Sequence, residues 1–138
     1  MRLNTKPAIY LIDGLNFVRS FLRWDLDDEE IEVKKFLDWL EGIGKLKHFR
    51  RSQFRVIFDG VYRNVGSALR GNLKVHFSDD VKADELLLEQ AFYLKSKGSR
   101  AVIVTNDADV CAEAKAGKIK VLTCSKFFDI CESAKEEF

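Results

Sequence analysis

The sequence predicts an α/β domain, with a mainly parallel five-stranded sheet and helices on both of its faces. Three observations predict it. Short apolar, β-branched runs alternate with longer stretches of helical periodicity along the whole chain. The first such run, Ala8 to Ile12, is apolar at every position, as in a strand covered on both faces. Four of the five runs then stop abruptly at acids.

Residues 1 to 7 are polar and end at Pro7, leading into the first strand. From Gly14 to about Trp24, Leu15, Val18, Phe21 and Leu22 recur at helical spacing, so a helix starts at the tip of that strand. Its free amides face the same crevice as Asp13. Asp25 to Glu30 is a polar break whose acids suit the start of a second helix, Glu29 to Lys47. That helix turns Ile31, Val33, Phe36, Leu37, Leu40 and Ile43 to the core, with Gly42 and Gly44 near its end. A basic run follows: Lys45, Lys47, His48, Arg50 and Arg51. The second strand, Phe54 to Phe58, stops at Asp59-Gly60. Val61 to Asn72, with Arg63, Asn64, Gly66, Ser67, Arg70 and Gly71, is expected to be a flexible polar segment with a helical turn.

A third strand, Leu73 to Phe77, runs into Ser78-Asp79-Asp80. The third helix, from about Val81 to Lys95, buries Ala83, Leu87, Ala91 and Leu94, with Asp84 and Glu85 in its first turn and Lys97-Gly98-Ser99 closing it. The fourth strand, Ala101 to Thr105, ends at Asn106-Asp107-Ala108-Asp109 and opens a short helix that Gly117 ends. A fifth strand, Ile119 to Thr123, leads through Cys124-Ser125 into a last helix carrying Phe127, Phe128 and Ile130. With no repeat or linker, residues 1–138 are expected to form a single domain.

Composition narrows the class. Apolar residues make up 46% of the chain and charged residues 33%, with one proline, which excludes low-complexity and disordered sequences. A formal charge of +1 announces no bulk affinity for nucleic acid, yet allows a local basic rim beside an acidic pocket. Cys111, Cys124 and Cys131 form no CxxC pair and have no companion histidines, so reduced and mostly buried thiols are expected. No apolar run suits a signal peptide or a membrane span, and a cytoplasmic protein without a membrane partner is the expectation.

Parallel strands point the same way, so Asp13, Asp59, Asp79 with Asp80, and Asp107 with Asp109 fall along one edge of the sheet; Asp84 joins them from the third helix. Carboxylates crowded into one crevice cannot all stay ionised without a counter-charge: either some pKa values rise or a cation enters. Oxygen-only donors favour Mg²⁺ or Mn²⁺, and such ions beside an open crevice suit phosphoryl chemistry. Each acid also has a structural alternative. Asp107 can cap a helix, Asp109 can sit in its first turn, Asp79 or Asp80 can cap the third helix, and Asp59 can serve a turn with Gly60. Asp13 has no turn that needs it, and Asp84 lies beside the apolar Ala83 and Leu86. Arg19, Arg23, Arg63, Arg70 and Lys82 lie just past strand ends, where cations reach phosphates; solvated surface charge is the alternative for each. Tyr62 is placed either to stack on a base or to pack at the rim, and His48 and His76 are taken as structural.

In order, Ile12-Asp13-Gly14-Leu15-Asn16, Val56-Ile57-Phe58-Asp59-Gly60, Lys82-Ala83-Asp84-Glu85 and Val104-Thr105-Asn106-Asp107-Ala108-Asp109 resemble the motifs of the PIN-like nuclease superfamily. Within it the likeness is to the NYN branch, which includes the bacterial YacP-like ribonucleases, and it covers nearly the whole chain. The resemblance implies a PIN-like three-layer α/β/α sandwich and a metal-dependent ribonuclease, expected to be an endoribonuclease. Position by position, it implies that Asp13, Asp84 and Asp107 hold Mg²⁺ or Mn²⁺, that Asp109 assists them directly or through water, and that Asn16 orients the first carboxylate or a bound water. Glu85 stands where relatives also carry Asp or Ser. The implied partner is RNA, single-stranded or structured; a homodimer, or a ribosome or antitoxin-like partner that supplies specificity, is compatible with it.

Other readings compete. A Toprim-like domain also uses Asp-x-Asp after a strand, as in Asp107-Ala108-Asp109, but needs a glutamate where this chain has Asp13. A receiver-type signalling module would use Asp59 as phospho-acceptor with Thr105 and Lys126 as switch residues. The last alternative is a non-catalytic RNA- or partner-binding domain that keeps the fold without turnover.

Overall fold

The computed structural model describes residues 6–21 and 29–136. Strand β1, Ile9–Asp13, passes at Gly14 directly into helix α1, Gly14–Phe21. The remainder of the expected first helix, with Leu22, Arg23 and Trp24, lies outside the described residues. Helix α2, Glu29–Gly44, opens with Glu29, Glu30 and Glu32 at the positive end of its dipole. It ends at Gly44 rather than Lys47, and residues 45–52 turn back into strand β2, Gln53–Phe58.

The segment expected to be a flexible loop with a helical turn forms no helical turn and contains a sixth strand, β3, Leu69–Arg70, which pairs antiparallel with β4, Leu73–Phe77. This corrects the five-stranded sheet. Two residues are too short to show any period, and the pairing is closed by Gly71 at a φ of 60°. Arg70 fixes the preceding loop by donating to the carbonyls of Val65 and Ser67 at 2.8 and 3.1 Å. Helix α3 spans Ala83–Ser96, strand β5 Ala101–Val104, helix α4 Ala108–Ala116, strand β6 Lys120–Leu122 and helix α5 Cys124–Ala134.

The strands are ordered β3-β4-β2-β1-β5-β6, and every neighbouring pair except β3 with β4 is parallel. Two cores sandwich the sheet. Tyr10 and Ile12 of β1, with Phe54, Val56 and Phe58 of β2, face α1, α2 and α5 through Phe17, Phe36, Leu40 and Phe127. Leu11, Ile57 and Ile103 face α3 and α4 through Leu87, Ala91, Val110 and Ala114. This is the α/β/α sandwich, generated by period-2 alternation along each strand. Rings dominate the first core: Phe17 stacks on Phe36 at 4.9 Å, and Tyr10 lies 5.4 to 5.7 Å from Phe127, Phe54 and Phe49.

Two glycines separate the effects of space and conformation. A Cβ on Gly14 would overlap the ring of Phe58, whereas nothing lies within 4 Å of one on Gly42. Gly14→Ala should therefore lower stability by about 1 to 3 kcal/mol through overpacking. Gly42→Ala should raise it by about 0.5 to 1 kcal/mol through helix propensity. Denaturant midpoints of the two variants should shift in opposite directions; a common sign would contradict the packing described.

Candidate active site

β1 lies mid-sheet, where the connections reverse direction: the chain leaves it toward β2 and later crosses back to β5 on its other edge. In such sheets a crevice opens at this switch point, outside the carboxyl ends of the strands. Asp13, the last residue of β1, continues the parity of Leu11 toward the α3–α4 face. Asp107, just past β5, and Asp84, in the first turn of α3, come to the same place. The crevice, of about 500 Å³, is lined by Asp13, Asp84, Asp107, Asp59, Asn16, Arg19, Arg63 and Lys82, among others.

Burial pushes the Asp13 carboxyl above its ordinary range, and the nearby Asp107 and Asp84 charges add to the effect. The Asn16 backbone amide, which donates to Oδ1 at 3.3 Å, and the Thr105 hydroxyl, 3.4 Å from Oδ2, oppose it. The contact of Asn16 with Asp13 is thus made by its backbone amide. Its side-chain oxygen accepts from the Asn106 amide at 2.8 Å and from the Cys124 thiol at 3.3 Å. Burial, followed by the Asp13 charge, pushes that thiol up to about 12, which keeps it a donor. Asn106 completes the clamp by donating to Ser20 Oγ and accepting from the Cys124 amide, both at 2.9 Å.

Thr105, which the sequence pointed to only as a switch residue of the receiver-type alternative, sits inside the carboxylate site. Fully buried, it touches Asp13 through its hydroxyl and accepts from the Asp107 amide at 3.2 Å, so one side chain sets the spacing of two carboxylates. A hydroxyl-bearing residue between an apolar strand and Asn-Asp was the available signal.

Of the caps offered as alternatives, that of Asp107 is present, whereas neither Asp79 nor Asp80 caps α3. Asp107 caps α4 through Oδ1, which accepts from the Val110 amide at 2.9 Å. Asp59 caps α3 from across the crevice, accepting from the Ala83 amide at 2.9 Å, because the N-cap residue Lys82 has no acceptor to offer. A carboxylate keeps further lone pairs when one oxygen accepts a single amide, so capping and facing the crevice coexist. Asp109 is exposed in the first turn of α4 and is not among the lining residues; Asp79 and Asp80 are exposed beyond β4.

The expected basic residues divide. Arg19, Arg63 and Lys82 line the crevice, with Arg19 3.3 Å from Glu29 and Arg63 donating to the Asp59 carbonyl at 2.7 Å. Arg70 does not: it is drawn into an ion pair with Asp38 at 2.6 Å and a longer one with Glu41 at 3.5 Å, which makes it a strut of its loop. Arg23 lies outside the described residues. Tyr62 is exposed, its ring edge-on to Phe77 at 5.4 Å.

The donor set fits a hard divalent ion in its chemistry, being all oxygen and subject to like-charge repulsion that a cation would relieve. As the side chains stand, no three His, Cys, Asp or Glu among the described residues converge on a common point. No described helix is long and apolar enough to cross a membrane.

In fold the chain is similar to Rae1 (YacP) from Bacillus subtilis. One crystal structure superposes with a TM-score of 0.75 at 15% identity, over 93% of this chain and 75% of that one. A point mutant of the same protein gives 0.75 at 14% identity, over 94% and 77%. No protein-family model matches the sequence, and no curated protein matches it either.

The raised carboxyl of Asp13 makes a stability prediction. Its folded pKa lies above the unfolded value near 3.8, so its contribution is fully present below that value and is lost as pH rises through the folded one. In EDTA at pH 7, Asp13→Asn should unfold at a higher denaturant concentration than wild type, and the gap should narrow as pH falls toward 4. Equal midpoints at pH 7 would contradict the burial cost.

Proposed function

We propose that this protein is a metal-dependent ribonuclease, acting as an endoribonuclease on RNA phosphodiester bonds from the crevice around Asp13. One observation carries the reading: Asp13, Asp84 and Asp107 line a single crevice at the sheet's switch point, with Arg19, Arg63 and Lys82 on its walls. The fold shared with Rae1 (YacP) and the order of the four motifs support the same assignment.

Asp13, Asp84 and Asp107 would hold Mg²⁺ or Mn²⁺, whose chemistry there is to polarise the scissile phosphate and lower the pKa of a water for in-line attack. Asn16 and Thr105 aim Asp13 before substrate arrives, and Thr105 together with the Val110 amide fixes Asp107. Because these contacts are already made, little reorganisation remains for the reaction. Arg63, Lys82 and Arg19 offer phosphate contacts that position the backbone without reading sequence. Asp109 is not among the residues lining the crevice, and its part is to assist that set through water.

The topology speaks against the receiver-type alternative: the strand order is not the 2-1-3-4-5 of that fold, and Thr105 is buried between two aspartates.

A labelled single-stranded RNA incubated with protein and Mg²⁺ or Mn²⁺ should be cut internally, and EDTA should stop the reaction. Asp13→Asn, Asp84→Asn and Asp107→Asn should each lower the rate by about a hundredfold or more. Thr105→Val should cost about 10- to 100-fold, as expected of a residue that orients ligands. Unchanged cleavage by Asp13→Asn, or cleavage that persists in EDTA, would overturn the mechanism. RNA binding without cleavage under any metal would favour the non-catalytic binding domain.

A further inference from the structure

Besides Arg19, Arg63 and Lys82 on the crevice walls, a second set of cations lies away from the site. Acids collect at the carboxyl ends of the strands, whereas exposed cations stand where the parallel strands begin: Lys6 ahead of β1, Arg50 and Arg51 ahead of β2, Lys74 early in β4, Arg100 ahead of β5, and Lys118 and Lys120 at β6. With a net charge of only +1, this is a separation of charge and not an excess.

The densest part of that edge is concave. A groove of about 290 Å³ opens between loop 45–52 and the turn at Gly71 and Asn72, and Arg50, Arg51 and Lys74 line it without any carboxylate. None of the three has a carboxylate partner among the described residues, whereas Lys34, Lys35, Lys45, Arg70 and Lys135 are all paired. The groove is also built. The Asn72 side-chain amide donates to the carbonyls of Gly44, Phe49 and Ser52 at 3.1, 3.1 and 2.9 Å, tying the loop to the hairpin. The Ser52 hydroxyl in turn accepts from the Ala8 amide at 3.1 Å and joins the loop to the start of β1. Unpaired cations on a fixed concave frame match a run of phosphates, which carry charge at regular spacing and need no sequence readout.

We propose that this groove is a second RNA-binding site, which holds the phosphate backbone of a structured RNA at the edge of the sheet opposite the crevice. The proposal rests on the ribonuclease reading only in taking RNA as the ligand. A five-residue strand separates the two edges by about 17 Å. A short oligonucleotide in the crevice therefore never reaches the groove, while a folded RNA can occupy both. The groove raises affinity for large substrates and leaves the chemical step alone.

The test compares Arg50→Ala/Arg51→Ala/Lys74→Ala with wild type, both carrying Asp13→Asn for binding and neither carrying it for turnover. Fluorescence anisotropy with an RNA hairpin should show binding weakened about tenfold or more near 0.1 M salt. The slope of log affinity against log salt should fall by about 2 to 3, the loss of three phosphate contacts. In turnover, KM for the hairpin should rise by a similar factor with kcat unchanged, and cleavage of a short oligonucleotide should not change. Arg50→Lys/Arg51→Lys should retain hairpin binding. An unchanged salt slope would overturn the proposal and leave the ribonuclease reading intact. Equal losses for the hairpin and the short oligonucleotide would also overturn it, by placing the effect at the crevice. Groove-dependent capture by anionic phosphatidylserine vesicles with no effect on RNA would replace RNA with a lipid surface. Groove-dependent hairpin binding by a protein that cuts no RNA would uphold the groove and remove the ribonuclease reading instead.

Discussion

β1 is hydrogen-bonded along both edges, to β2 and β5, and covered on both faces, by α1, α2 and α5 on one side and α3 and α4 on the other. A strand in that position has one free direction, along its own axis, and Asp13 occupies its end. Register then fixes everything near it. Asp13 lies opposite Ile57, which puts Asp59 one step past the neighbouring strand end, and Ile12 lies opposite Val104, which puts Thr105, Asn106 and Asp107 at the same level on the other side. A one-residue slip in either pairing would invert the faces of the strand and disperse the carboxylates.

Placing a carboxylate there has an energetic cost, visible in the upward pKa of Asp13, and the surrounding structure offsets only part of it. Two donors reach Asp13, at 3.3 and 3.4 Å, which is long for charge-assisted hydrogen bonds. Shorter contacts hold its neighbours instead: Asn106 is clamped to Asn16, Ser20 and Cys124 at 2.8 to 2.9 Å. The tight network thus positions the loop after β5, while the acid it surrounds stays under-satisfied. An under-satisfied, partly buried anion next to two others is an arrangement that a cation or a proton stabilises.

The same parallel alignment sorts the charge of the described residues. Acids cap helices and face the crevice at one edge, alongside Arg19, Arg63 and Lys82, and a second set of cations flanks the strand entries at the other. Asp59 and Asp107 have structural duties through helix amides as well as their place in the crevice, so the sequence alone left both readings of each open. Arg70 shows the converse. It lay on a segment that pointed to phosphate contact, yet Asp38 and Glu41, about thirty residues earlier in sequence, meet it in space and turn it into a strut.

The sequence by itself determined the alternation of strands and helices, the parallel sheet and the aspartates at its carboxyl edge, because burial period and chain direction are local properties of the residues. Asp13, Asp84 and Asp107 were legible for that reason. Only the tertiary structure decided the rest. β3 is a two-residue pairing with no period of its own. Thr105 matters through contacts with Asp13, ninety-two residues away, and with Asp107. The side chain of Asn16 serves Asn106 while its backbone serves Asp13, and neither Asp109 nor Arg70 lines the crevice. Each of these depends on which side chain meets which across the fold, and such meetings are fixed by packing and register between distant segments, which no local pattern encodes.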